Sequence, residues 1–175
     1  CIAQERTRET LDAAISVLRA MGKKVAVPTG LKCCGSPLRK IGDLERAERC
    51  MQHNLEMLSR YDHIVTSCPG CTGELVKQYG LDAMHLVEYL TEAVGTSGIR
   101  FRSKGPHRIG LHAACHLERG IGPHTTEETW QLLGSLPDVT LVELDDVSVC
   151  CGAGGGLMSG TPDVATAMAK RKIGT

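Results

Sequence analysis

Nine cysteines stand against one Phe and one Trp in a chain of 175 residues, and their spacing repeats. Thirty-one residues separate Cys1 from Cys33-Cys34-Gly35, and thirty-two more lead to Cys68-Pro69-Gly70-Cys71. Cys115 then starts the order again, and thirty-four residues later comes Cys150-Cys151-Gly152. A second C-x-x-C at the matching distance would fall beyond Thr175. Cys50 belongs to neither copy. A C-x-x-C projects two sulfurs to one side, and a helix beginning at Cys71 would favour anionic sulfur through its dipole and free N–H groups. Pro69-Gly70 suits a tight turn with backbone close to a ligand. The vicinal pairs are less usual. Adjacent cysteines do not readily bridge, and on an extended strand their side chains point to opposite faces. Both serve one site only if the backbone bends, and Gly35 and Gly152 supply residues that tolerate a positive φ directly after each pair. Five thiols exceed the four of a tetrahedral zinc site or of an ordinary cubane iron–sulfur cluster. The first copy therefore asks for a larger centre, or for one cysteine kept free for chemistry.

These sulfurs must be positioned by secondary structure, and the apolar spacing shows which. In "RETLDAAISVLRAMG" Leu11, Ala14, Ile15, Leu18 and Met21 follow helical spacing and Gly22 ends the pattern. "KKVAVP" reads as a short buried strand running into the first cysteine pair. "DLERAERCMQHNLEMLSRY" is a second helix with Leu44, Ala47, Met51, Leu55 and Leu58 on one face. "HIVTS" is a strand ending at Cys68, "CTGELVKQYG" the helix after it, and "AMHLVEYLTEAV" a helix with room for a short strand at its entrance. "RIGLHAA" is a strand to Cys115, "TTEETWQLLGSL" a helix, "VTLVEL" a strand, and "TPDVATAMAKRK" a helix capped by Thr161 with Pro162 in its first turn. Strands alternating with helices predict parallel α/β packing. Most cysteines then fall past the carboxyl ends of strands, the edge where open α/β sheets bind ligands. The polar "TSGIRFRSKGPH" reads as a connection, so the chain divides into a first repeat over 1–97, a linker over 98–106 and a second repeat over 107–175.

Composition narrows the function. Twenty Lys and Arg balance twenty Asp and Glu, so no net field draws the chain to nucleic acid or to an anionic membrane. The apolar runs are strand-length, and none spans a bilayer. A chain of this size builds its own core, which argues against a secreted disulfide scaffold and for a reducing cytoplasm where thiolates hold metal or do redox work. It opens on Cys1 and stops within a helical pattern, and reads as a piece of a longer protein.

Other residues have plainer readings. Cys50 lies mid-helix and reads as a buried thiol acting as a small hydrophobe. His112 and His116 flank Cys115; they either reach a substrate and donate a proton, or bond backbone at a strand end. "GAGGG" at 152–156 lacks the register of a nucleotide loop and reads as close backbone approach to a cluster or substrate. Met158, Leu157 and Trp130 read as core.

The pattern Cys1…Cys33-Cys34-Gly35…Cys68-x-x-Cys71, followed by Cys115…Cys150-Cys151-Gly152, resembles the cysteine-rich CCG domain family. That family includes the catalytic iron–sulfur subunits of heterodisulfide reductases, of both the B and the D type. It also includes iron–sulfur subunits of glycolate and lactate oxidases and of thiol:fumarate reductases. The resemblance implies two Rossmann-like CCG repeats, each with a short parallel sheet and cysteines at strand C-terminal ends. It implies an oxidoreductase subunit whose fragment is not expected to be active alone. Cys1, Cys33, Cys34, Cys68 and Cys71 would hold one noncubane [4Fe-4S] cluster, and Cys115, Cys150 and Cys151 would be three of the five ligands of a second. Cys33, Cys34, Cys150 and Cys151 would carry the redox chemistry on the clusters, with Gly35, Gly70 and Gly152 against them. Partners would be other redox subunits (iron–sulfur, flavin or membrane cytochrome) and a small thiol or disulfide substrate. Two other functions remain open from the residues: a non-catalytic electron relay of glycolate/lactate-oxidase or quinone-linked type, and a structural zinc domain using Cys68 and Cys71 with two others.

Overall fold

The computed structural model describes residues 7–97, 100–102, 105–145, 149–154 and 156–174. The chain forms two compact units, Cys1–Ile99 and Arg100–Thr175, each with its own two-stranded parallel sheet.

The first unit begins with α1 (Arg8–Ala20), which buries Ala14 and Leu18 from the predicted stripe. Gly22 ends it at φ 75°, its N–H donating to the Arg19 carbonyl. The short helix α2 (Ser36–Lys40) follows the first cysteine pair, and α3 (Leu44–Leu58) follows that. Asp43 caps α3, its carboxylate accepting from the Arg46 N–H, as Asp does at a position whose partner donor has no intrahelical acceptor. Ala47 and Leu58 are buried and Met51 and Leu55 pack on the core. Leu44, expected on that face, stays exposed, because the first helical turn lies ahead of the stripe that meets the core. Strand β1 (Ile64–Thr66) leads into α4 (Pro69–Lys77), and β2 (Ala83–His85) into α5 (Leu86–Ser97). The two strands pair in parallel, Ile64 opposite Ala83 and Thr66 opposite His85. Leu58, Leu75, Tyr79 and Ala83 form the core, with Leu31, Met51, Leu55, Ile64 and Leu81 against it.

One predicted strand is absent. Residues 23–28, "KKVAVP", carry no ladder among the described residues. They and β1 line the same groove of about 480 Å³. An extended apolar run without a neighbour at hydrogen-bonding distance has no partner with which to form a sheet.

In the second unit β3 (His107–Gly110) pairs in parallel with β4 (Val139–Val142), His107 opposite Val139 and Gly110 opposite Val142. The helices are α6 (Cys115–Glu118), α7 (His124–Gly134), α8 (Leu157–Gly160) and α9 (Pro162–Ile173). Thr161 stands at the N-cap of α9 as expected, but its hydroxyl donates back to the Leu157 carbonyl at 3.3 Å and does not cap. Trp130 is only half-buried and Met158 is exposed, so neither is the core residue its type suggests. Among the described residues no helix is long and apolar enough to cross a membrane. The alternation of strand and helix with parallel pairing in both units is the α/β class read from the sequence.

Candidate metal centre

The four described cysteines of the first copy come together. Cys68 is the extended N-cap of α4, and Cys71 lies in its first turn, its N–H donating to the Cys68 carbonyl at 2.9 Å. Pro69 and Gly70 open the helix instead of forming a separate turn, Pro at a position where its missing N–H costs no bond. A Cβ on Gly70 would lie 3.9 Å from the Cys68 sulfur. The Thr66 and Thr72 hydroxyls meet at 2.7 Å and stand 3.1 and 3.3 Å from the Cys68 carbonyl oxygen, so that one donates to the other hydroxyl and the other to the carbonyl. The N-cap is therefore held from the strand side and the helix side together.

Cys33 and Cys34 reach the same place from a loop that ends at Gly35. That glycine adopts φ 93°, and the chain turns directly into α2. The Cys71 thiol is in hydrogen-bond contact with both Cys34 and Cys68, and Cys34 is in contact with Cys33. The sulfurs thus run in sequence Cys33, Cys34, Cys71, Cys68. Cys34, Cys68 and Cys71 open on the apolar groove beside Leu31 and Leu75. The hydrogen bond from Cys71 brings the Cys34 pKa down to about 7, burial opposing it and the Ser36 backbone N–H assisting. Those same contacts with Cys34 and Cys68, and then burial, raise Cys71. Burial raises Cys33, against a hydrogen bond from the Gly35 backbone. One thiol of the set is thus poised as a thiolate near neutral pH, with its neighbours as donors. In metal-free protein, alkylation of Cys34 should rise with pH to half its maximum at about 7. Only the thiolate reacts, so Cys71→Ala should move that midpoint upward in a pH series read by peptide mass.

The loop is secured by residues whose roles no spacing in the sequence shows. Asn54, on α3 and 3% exposed, accepts from the Lys32 N–H at 2.8 Å. Its amide nitrogen faces the carbonyls of Lys32 and Cys33, both at 3.2 Å, and the Tyr79 hydroxyl at 3.1 Å. Tyr79 in turn donates to the Cys34 carbonyl at 3.0 Å. Burial pushes its own pKa up to about 12, so it stays a donor. Nearby, Arg39 of α2 donates to the buried Glu74 of α4 at 2.8 Å, tying the helix after Cys34 to the helix that carries Cys71. The signal that could have found Asn54 is a polar residue one helical turn from Leu58 and Met51 on a core-facing stripe. Such residues are buried only with partners.

Cys50 departs from its expected role. It is half-buried rather than buried, and close enough to Cys33 and Tyr79 to bear on their charge. His85 is buried at 8%, burial lowering its pKa, and its Nδ1 accepts from the Val87 N–H at 3.4 Å. His53 meets the Gly30 carbonyl at 2.9 Å.

Cys1 lies outside the described residues. The second-copy residues form a looser set. Cys115 is the first residue of α6 and half-buried, Cys151 is half-buried, and Cys150 is exposed. Gly152 takes φ 77° against α9, where a Cβ would fall 2.6 Å from the Ala165 carbonyl oxygen. His116 Nδ1 stands 3.9 Å from the Cys115 sulfur, and its Cε1 would be 3.5 Å from a Cβ on Gly154. The cysteine loop and the glycine-rich loop therefore meet at His116. His112 is half-buried between β3 and Cys115.

Among the described residues no three His, Cys, Asp or Glu side chains are arranged to hold one ion. The thiols of Cys33, Cys34, Cys71 and Cys68 follow one another in a line of contacts.

The chain matches the "CCG: Cysteine-rich domain" family over residues 1–76 and again over 109–175. It is 34% identical over 98% of its length to a fumarate reductase (CoM/CoB) subunit of Methanothermobacter marburgensis, of which it covers 35%. It is 29% identical over 92% of its length to a dihydromethanophenazine:CoB–CoM heterodisulfide reductase subunit of Methanosarcina barkeri, covering 43% of that protein. Lactate utilization protein A of Oceanobacillus iheyensis is 25% identical over 90% of the chain, which covers 70% of it. The chain spans about a third of the length of the first of these relatives. No solved structure matches. With both halves of its cysteine pattern inside the matched residues, the chain belongs to the cysteine-rich CCG domain family.

Proposed function

We propose that this chain is the cysteine-rich part of an iron–sulfur subunit in an oxidoreductase of heterodisulfide-reductase type. Cys33, Cys34, Cys68 and Cys71, with Cys1, hold a noncubane [4Fe-4S] cluster, and Cys115, Cys150 and Cys151 are ligands toward a second. When bound, such a cluster supplies one-electron chemistry toward a small thiol or disulfide. The contact line of Cys33, Cys34, Cys71 and Cys68, the last three of them opening on one groove, carries this reading. The names of the relatives, subunits of reductases among them, support it.

The protein's own residues have definite tasks. The Ser36 and Gly35 N–H groups donate to the sulfurs of Cys34 and Cys33 and offset their negative charge. Asn54 and Tyr79 hold the carbonyls behind those sulfurs. The apolar walls of the groove, Val25, Leu31, Leu58 and Leu75 among them, keep water from one side of the thiols and strengthen each electrostatic contact there. Electrons reach the site from other redox subunits carrying iron–sulfur, flavin or cytochrome groups. The setting is a reducing cytoplasm, with any membrane association made through such a partner.

The test is to produce the chain without oxygen, reconstitute it with iron and sulfide, and measure iron, sulfide, zinc and EPR. Iron and sulfide in matching amounts, with a cluster signal lost in Cys34→Ser and Cys71→Ser, are expected. Stoichiometric zinc without iron would overturn the reading in favour of a structural zinc domain.

A further inference from the structure

Cys50 is the one described cysteine that the repeat does not use, and its place on α3 is informative. The loop 32–35 runs along that helix. Asn54 bonds Lys32 and Cys33, while Gly35 sits over Ala47, where a Cβ would lie 3.3 Å from the Ala47 carbonyl oxygen. Residue 50 lies between 47 and 54 on the same helical face, since positions three and four apart are neighbours. It therefore stands beside the stretch Cys33–Cys34. The sulfurs of Cys33 and Cys50 are near enough for the charge of one to bear on the other, and both side chains are half-buried, not sealed.

The alternatives for Cys33 are poorer. Cα atoms of consecutive residues are about 3.8 Å apart, shorter than the roughly 4.4–6.8 Å that a relaxed disulfide spans, so Cys34 is an unfavourable partner. Cys34 itself is engaged with Cys71, and Cys71 with Cys68. Among the described cysteines of this unit, Cys50 is the one outside that line of contacts, and it stands on the helix that the Cys33 loop crosses.

We propose that Cys33 and Cys50 form a reversible disulfide when the chain carries no metal and meets a small disulfide oxidant such as glutathione disulfide. One of the two thiols, once deprotonated, attacks one sulfur of the oxidant and the first glutathione thiolate leaves. The other, deprotonated in its turn, attacks that protein sulfur and the second glutathione thiolate leaves. Two protein thiols lose two electrons and two protons, and one disulfide becomes two thiols. Exchange of this kind runs backward in excess thiol, so the bridge opens when the surroundings become reducing. That the bridge also keeps Cys33 from metal rests on the functional reading above; the bridge itself does not.

Metal-free full chain is treated with glutathione disulfide, blocked with N-ethylmaleimide, digested without reductant and read by mass spectrometry, with fragmentation separating Cys33 from Cys34. A peptide linking Cys33 to Cys50, lost on dithiothreitol treatment, is expected in the unmodified sequence. Cys50→Ser should lose that peptide and retain glutathione on Cys33. Finding Cys33 glutathionylated with Cys50 free in the unmodified sequence, Cys33 unreacted, or Cys33 linked to another cysteine would overturn the proposal. None of these readings depends on iron, so the result stands apart from reconstitution.

Discussion

Asn54→Ala should loosen the first cysteine pair without touching a sulfur. The native side chain is 3% exposed, accepts one backbone N–H, and donates toward two backbone carbonyls and the Tyr79 hydroxyl. Removing it leaves the Lys32 N–H and the Lys32 and Cys33 carbonyls without their partner, and each buried group left unpaired costs about 1–3 kcal/mol. Water entering the space recovers part of this, so a net loss of about 2–4 kcal/mol is expected in urea unfolding. The iron-loaded protein reports a second effect. Groups that orient ligands from behind typically change metal affinity by about 10–100-fold, and chelator competition should show a loss in that range. Tyr79→Phe removes two hydrogen bonds, the one donated to the Cys34 carbonyl and the one accepted from Asn54, but keeps the ring in the core and leaves Asn54 on the loop, so its effect should be smaller on both measurements. Equal affinity in Asn54→Ala and the unmodified chain would show that the loop holds its shape unaided.

How much of this is legible in the sequence depends on the kind of information each element carries. The helices over 8–20, 44–58 and 162–173 announce themselves, because amphipathic spacing is local and each side chain votes. The left-handed turns at Gly35 and Gly152 follow from glycine placed directly after two bulky thiols that must face one way. Residues 23–28 do not form a strand because a ladder is a relation between two segments, and apolar composition states only that one of them is willing. The short helices after Cys34 and at Cys115 leave no such trace. Four or five residues are too few for periodicity to register, and their starts are set by the cysteine loops they leave. Convergence of the four thiols is readable from C-x-x-C and C-C-G, whereas the roles of Asn54, Tyr79, Thr66 and Thr72 are not. Their partners are backbone atoms, which have no letter in a sequence.

The two glycines offer the sharpest contrast between the copies, because the same substitution should act unequally. Gly35→Ala and Gly152→Ala both place a side chain at positive φ, 93° and 77°, a conformation that costs an L-residue about 1–2 kcal/mol. What the new methyl meets differs. At Gly35 it would stand 3.3 Å from the Ala47 carbonyl oxygen, and a shift of a few tenths of an ångström by the loop relieves it. At Gly152 it would stand 2.6 Å from the Ala165 carbonyl oxygen, 3.2 Å from the Ala165 Cα and 3.1 Å from the Met168 Cβ. These are backbone atoms and a Cβ fixed to the backbone of α9, and Ala165 is itself buried, so the helix must move as a body. Overpacking of that kind adds about 1–3 kcal/mol to the conformational cost. Gly152→Ala should therefore unfold the second unit at markedly lower urea, with a loss of about 2–5 kcal/mol from the two effects together. Gly35→Ala should lose about 1–2 kcal/mol and show its main effect in iron retention, because the strained residue follows Cys34 directly. Hydrogen exchange resolved by peptide separates the two outcomes: raised exchange over 157–173 in the Gly152 variant, and over 30–36 in the Gly35 variant. The reverse order of severity would mean that α9 moves more freely than its contacts with Gly152 allow, and that the second cysteine pair is held by something other than this turn.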